Sequence, residues 1–253
     1  MNGKFICKFI IIYLVYSAVL SSAYAESDEE NVGNNAAAQI LGVAKLHNNN
    51  NVQKYLNLVG ANIAEQVGQK YKWRFAVIDT ESVNAFATSS GIIFVTKGLF
   101  NLLQNEDELA FVLAHEISHV TKRHHYQVVL KQRLIEKASK NLKDIIPDNK
   151  ELSQLSGQIY ARGLDKTAEY EADRIGATLM TRAGYNPSAV LGVIEKLKKL
   201  NGDDPQAQLL FATHPSPSQR EDELISAGLD KLPIPNKTSL NREKRFKELG
   251  KLK

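Results

Sequence analysis

Cysteine is nearly absent. Cys7 is the only one in 253 residues and it lies in an apolar leader, so the chain has no internal disulfide framework and no cysteine-based zinc site. Any metal has to be held by histidine and carboxylate. Proline and glycine are sparse, at 7 and 15 residues, which excludes collagen and low-complexity linkers. An apolar share of 43% beside 24% charged residues leaves no room for wholesale disorder. A large charge of one sign is also missing. The formal net charge is +4, falling to +2 without Lys4 and Lys8 of the leader, and this near-neutral balance argues against a nucleic-acid partner. The longest apolar run, Phe9 to Leu20, spans twelve residues against the ~20 of a membrane-crossing helix. No repeat with a period of about 20 to 50 residues is visible.

What is present begins with that leader. Lys4 and Lys8 precede the apolar run, and Ala23-Tyr24-Ala25 offers a small-x-small cleavage site, the pattern of a secretory signal peptide over residues 1–25. Cys7 lacks the small residue expected before a lipidated cysteine. The expectation is an exported protein, periplasmic in a bacterium, with a cysteine-free mature chain and no transmembrane segment. Residues 26–230 are expected to form one domain. The rest, 231–253, is basic: Lys231, Lys237, Arg242, Lys244, Arg245, Lys247, Lys251 and Lys253 stand against Glu243 and Glu248. A solvated, partly helical end is the plain reading of this tail, and peripheral contact with anionic lipid headgroups is the sharper one.

Apolar residues recur at three and four spacing over Asn34–His47 and Val52–Val67, two amphipathic helices separated by the asparagines 48–51. Arg74–Thr80, Val83–Thr88 and Ile92–Thr96 are short and rich in β-branched and aromatic residues, and Ser89-Ser90-Gly91 between the last two is a hairpin signal. These predict a small antiparallel sheet. Helical spacing resumes over Glu106 to about Lys140, Lys166–Arg182 and Pro187–Leu200. The fold class is therefore α+β and mainly helical.

The chemistry concentrates in the first of those later helices. His115-Glu116-Ile117-Ser118-His119 is a His-Glu-x-x-His sequence, and four-residue spacing stacks both imidazoles on one helix face, where their nitrogens converge on one ion. A catalytic zinc takes three protein ligands and keeps an open position. Glu116, rotated by about 100° from His115, stays out of the ligand set and serves as general base. Such a pentapeptide also arises by chance, as two ordinary core or surface histidines. The flanking apolar helix and a distant acidic cluster, Glu169-Tyr170-Glu171-Ala172-Asp173, favour the metal. Glu169 and Asp173 share a face four residues apart, so Glu169 is the expected third ligand and Asp173 the expected hydrogen-bond acceptor for a ligand imidazole. Glu171 is the rival ligand, about 200° from Glu169 around the helix. A solvated face is the plain reading of the whole cluster. His124 and His125 fall off the face of His115 and His119 and read as solvated or packing residues.

His115-Glu116-x-x-His119 followed by Glu169-x-x-x-Asp173-Arg174-x-Gly176 resembles the zinc endopeptidases of gluzincin type that include the heat-shock protease HtpX, the CAAX prenyl endopeptidase and small soluble periplasmic relatives. The resemblance runs from about Val52 to Arg220. Without transmembrane helices beside the site or a helical-repeat domain after it, the match is to the small secreted branch. It implies a zincin-like metalloprotease domain holding one Zn2+ per chain, with a sheet whose edge strand, Asn84, Ala85, Phe86, Ala87 and Thr88, borders the active site. It also implies catalytic contributions from His214, in the pair His214-Pro215, and from Arg220, as stabilisers of the oxyanion; His214 has an alternative place as a resting-state zinc ligand. The expected partners are unfolded or flexible polypeptides that add to the edge strand through backbone hydrogen bonds, which suits quality control of exported proteins. The competing reading is a catalytically silent chaperone or partner-binding module on the same scaffold.

Overall fold

The computed structural model describes residues 28–68, 70–143, 164–200, 202–235 and 240–252. The leader at 1–25 and residues 144–163 lie outside the described residues. The chain opens with α1 (28–43), and the asparagine run then acts as a helix start. Asn49 Oδ1 accepts from the backbone N–H of Asn51 at 3.0 Å and of Val52 at 3.3 Å, satisfying donors that α2 (Asn50–Ala64) leaves unpaired. Val52, Leu56, Val59 and Ile63 of α2 are buried in the main core.

Three strands follow: β1 (Arg74–Ile78), β2 (Ala85–Ala87) and β3 (Ile92–Thr96). The β2–β3 hairpin is the antiparallel one the sequence predicts, with Ala85 opposite Val95 and Ala87 opposite Ile93. Gly91, at φ +87°, makes its turn. The other pairing is parallel, Arg74 opposite Ile92 through Ile78 opposite Thr96, in the order β1-β3-β2, so the sheet is mixed where a wholly antiparallel one was expected. The reason is that β3 is buried almost throughout and takes the central place, while residues 79–84 carry the chain across its end from one edge to the other.

The two edges are treated differently. On β1, Gln53 and Asn57 of α2 stand in for a neighbouring strand. Gln53 donates to Val77 O at 2.9 Å and accepts from Val77 N at 2.9 Å, while Asn57 donates to Phe75 O at 2.6 Å and accepts from Phe75 N at 3.1 Å. That edge is closed. On β2 the residues bonded to β3 are the even-numbered ones, through Thr88 N to Ile92 O and Thr96 N to Asn84 O, so the alternation of an antiparallel ladder turns the backbone of Ala85 and Ala87 outward. That edge is open.

After α3 (Lys97–Leu102) comes α4 (Glu106–Thr121), capped by Asn105 through the Glu108 N–H at 2.9 Å and buried from Glu108 to Val120. The helix expected to run on to about Lys140 instead breaks at Lys122–Arg123 and restarts as α5 (His124–Lys143). Arg123 sits at φ +60°, a left-handed turn usually given to glycine, so no residue type marks the break. Then come α6 (Lys166–Arg182), α7 (Ala189–Lys198), α8 (Gln208–Thr213), α9 (Pro217–Ser226) and α10 (Leu240–Leu249). Asp165 caps α6, and Ser216 with Pro217 opens α9. No helix among the described residues is long and apolar enough to cross a membrane.

Candidate active site

The site is built where α4 and α6 meet. Gly176 on α6 permits the approach, since a Cβ there would stand 3.0 Å from His115 N and 3.1 Å from its Cα. His115 and His119, one turn apart on α4, bring their Nε2 atoms to 2.9 Å. Glu169, on the first turn of α6, places Oε2 3.5 Å from His115 Nε2 and Oε1 3.5 Å from His119 Nε2. All three side chains are buried. Glu171 turns elsewhere, its Oε1 to Lys122 Nζ at 2.7 Å and its Oε2 to His124 Nε2 at 3.0 Å.

Asp173 lies behind the pair. Its Oδ1 is 2.9 Å from His115 Nδ1, and Arg220 of α9 holds both of its oxygens, Nε to Oδ2 at 2.9 Å and Nη2 to Oδ1 at 2.6 Å. Arg220, expected beside an oxyanion, thus has these donors committed to Asp173. His214, just after α8, places Nε2 3.5 Å from Glu169 Oε2, while Nδ1 lies 2.9 Å from Thr213 Oγ1.

Burial sets the electrostatics. It pushes the Glu116 carboxyl up to about 7, against the pull of the His115 and Arg220 charges and of the Ala87 backbone N–H. Burial also opposes charge on His115, but its bonds to Asp173 and Glu169 prevail and carry it up to about 9. Burial holds His119 well below 6.5 and His214 down to about 4, keeping both neutral. Asp173 is held well below the usual carboxylate range: burial alone would raise it, and the Arg220 guanidinium overcomes that.

A metal fits this donor set. One nitrogen or oxygen from each of His115, His119 and Glu169 falls within 4.8 Å of the others, and two imidazoles with one carboxylate are a recognised zinc set. Buried Glu169 Oε2 has no hydrogen-bond partner among the described residues. A buried carboxylate oxygen without a hydrogen-bond partner, 3.5 Å from the Nε2 atoms of both His115 and His214, suits a cation. His115, Glu116 and His214 form a second, overlapping group of the same kind.

The group opens into a cleft lined by Asn84 to Ala87, Glu116, His119, Glu169 and His214. Thr88, the last residue of the expected substrate strand, is buried in the hairpin, with its Oγ1 3.1 Å from Ser90 Oγ. Sequence spacing missed one neighbour, because it depended on the turn at Arg123: His124 Nδ1 lies 2.9 Å from His119 Nδ1.

Comparison with known proteins adds an independent finding. A family model described as peptidase family M48 matches residues 47–227. Over 211 residues the chain is 28% identical to a beta-barrel assembly-enhancing protease of Escherichia coli, covering 79% of this chain and 43% of the relative. It is 33% identical over 158 residues to the mitochondrial metalloendopeptidase OMA1 of Arabidopsis thaliana, covering 62% of this chain and 32% of that one. The chain spans less than half the length of these relatives.

Proposed function

The chain belongs to peptidase family M48, and from that premise we propose that it is an exported zinc-dependent endopeptidase, acting in the bacterial periplasm on unfolded or misassembled polypeptides. The observation that carries the reading is the convergence of three buried donors, from His115, His119 and Glu169, beside a buried carboxyl at the open edge of a sheet. In this reading those three residues hold the ion. When bound, zinc supplies Lewis acidity to the cleft.

The chain's own residues do the rest. Glu116, with its pKa near neutrality, takes a proton from the attacking water and returns one to the departing amine, the two-way duty that suits a carboxyl poised close to working pH. Extended substrate lies antiparallel on β2, where the backbone of Ala85 and Ala87 faces out. Asn84 Nδ2, buried and without a hydrogen-bond partner among the described residues, is available to a substrate carbonyl. Ile40, Phe86, Val128 and Leu209 give the cleft an apolar wall, which favours chains that expose hydrophobic side chains, as unfolded ones do. His214 contacts the reacting carbonyl from α8. Arg220 is a positioning residue here, acting on His115 through Asp173. For the basic tail, the bonds of Arg245 to Glu106 and of Arg242 to Gly184 support a structural role.

The test is Glu116→Gln, which removes the base while keeping size and hydrogen-bonding capacity. The expected result is unchanged zinc stoichiometry and a loss of unfolded-casein cleavage on the order of 10²- to 10⁴-fold. Full cleavage by the variant would overturn the assignment.

A further inference from the structure

The two histidines of the motif are supported differently. Behind His115 stands a carboxylate, Asp173. Behind His119 stands another imidazole, His124, and behind that Glu171. We propose that His124 and Glu171 form a relay that orients His119 for the metal, a positioning device additional to the Asp173–Arg220 pair. The inference rests on the zinc reading above.

The proton arrangement is fixed link by link. His119 must offer the Nε2 lone pair toward Glu169 and His115 to act as a ligand. Its N–H is then on Nδ1 and donates to His124 Nδ1 across 2.9 Å. His124 therefore carries its own N–H on Nε2, which donates to Glu171 Oε2 across 3.0 Å. Lys122 Nζ holds the other oxygen of Glu171 at 2.7 Å. Every member has a partner, and only one tautomer of each imidazole satisfies the whole chain.

The backbone supports the same reading. In a continuous helix His124 would lie five positions beyond His119, about 140° around the axis, and would not meet it. The left-handed turn at Arg123, φ +60°, ends α4 and swings His124 back against the His119 ring, with centroids 5.1 Å apart. A residue with a side chain in that conformation is strained. Arg123 is held there by Nε to Glu29 Oε2 at 3.0 Å and by its guanidinium over Tyr126 at 4.9 Å. The relay also gives Glu171 a task. Three acidic residues of α6 then serve three ends of one site: Glu169 the metal, Asp173 the first imidazole, Glu171 the second.

The experiment measures zinc dissociation constants by competition with a chromogenic chelator, on the full chain stripped of metal, with circular dichroism as the control for fold. Variants are His124→Ala, His124→Asn and Glu171→Gln, with Glu116→Gln as a reference. Loss of an outer hydrogen-bond partner of this kind weakens metal affinity by about 10- to 100-fold, which is expected for His124→Ala. His124→Asn restores an acceptor near the Nδ1 position and should recover most of the loss. Glu171→Gln should weaken zinc by a smaller factor, and the double variant His124→Ala/Glu171→Gln should be no weaker than His124→Ala alone, since the two act through one path. Folded His124→Ala with zinc affinity within about twofold of the parent would overturn the proposal, as would fully additive losses. If His124→Ala does not fold, Glu171→Gln decides alone, an unchanged affinity again overturning the relay. A parent chain that binds no zinc would instead sink the metallopeptidase reading, so the two failures are distinct.

Discussion

At Asp173 a carboxylate, a guanidinium and an imidazole share one buried corner, and removing any one leaves the others uncompensated. Asp173→Asn strands Arg220, 5% exposed, without a counter-charge. Breaking a buried pair in this way costs about 3–5 kcal/mol, so urea denaturation of the metal-free variant should give a correspondingly lower unfolding free energy. Tyr185 is a second residue whose environment sets its chemistry. Burial pushes its phenol up to about 12, with Asn62, Glu106 and Arg242 as its polar surroundings. A folded pKa above the unfolded value near 10 means stability is fully present below pH 10 and drains away as pH rises toward 12. The loss from this group is roughly 2–3 kcal/mol. Thermal melts across that window should fall steeply, and less steeply in Tyr185→Phe; equal slopes would contradict the assignment. Tyr55 is raised by burial and by Glu106, so some slope remains.

Among the elements, β2 and the break between α4 and α5 matter most. Both edges of a three-stranded sheet are templates for pairing, and here the amides of Gln53 and Asn57 close β1 while β2 stays open to the cleft. Ala87→Pro probes this asymmetry. The Ala87 N–H faces away from β3, so proline removes no ladder bond and should be tolerated, as proline is at outward-facing edge positions. It does remove the backbone donor on the substrate side, one that also faces the Glu116 carboxyl. The expected outcome is a melting temperature close to the parent's, with kcat/KM for casein reduced by about tenfold or more, since one lost hydrogen bond to a bound chain is worth roughly 1–2 kcal/mol. Unaltered kinetics would argue against substrate pairing on β2. The hairpin was legible in the sequence because β-branched runs flank a Ser-Ser-Gly turn. The parallel partner was not, since nothing local tells Arg74–Ile78 that β3 will be its neighbour.

For the molecule as a whole, the C-terminal basic segment is part of the body. Phe246 of α10 is buried, with ring centroids 6.3 Å from Tyr55 and 5.7 Å from Phe100. Arg245 Nη2 lies 3.2 Å from both oxygens of Glu106, and Arg242 lies over the Tyr185 ring at 4.3 Å. Leu252 is tied to Asn101 at 2.7 and 2.9 Å. Phe246→Ala should cost about 3 kcal/mol, in the range for truncating a buried aromatic, and lower the melting temperature by several degrees; a change within ±0.5 kcal/mol would return this segment to the status of a loose tail. Charge counting read eight cations in the tail and could not see that Glu106, far away in the chain, would be the partner of Arg242 and Arg245.

What the sequence determined alone is what depends on short-range regularity. Four-residue spacing put His115 above His119 and Glu169 above Asp173, and β-branched runs with a Ser-Ser-Gly turn marked the hairpin. Only the tertiary structure decided the contacts that join distant elements: that Glu169 meets the imidazole pair while Glu171 turns to Lys122 and His124, that Arg220 grips Asp173, and that a left-handed arginine folds His124 back onto His119. Periodicity fixes where a side chain points around its own helix axis. Which neighbour occupies that direction is set by the packing of α4 against α6 and α9, a balance summed over the whole core and written in no local stretch of residues.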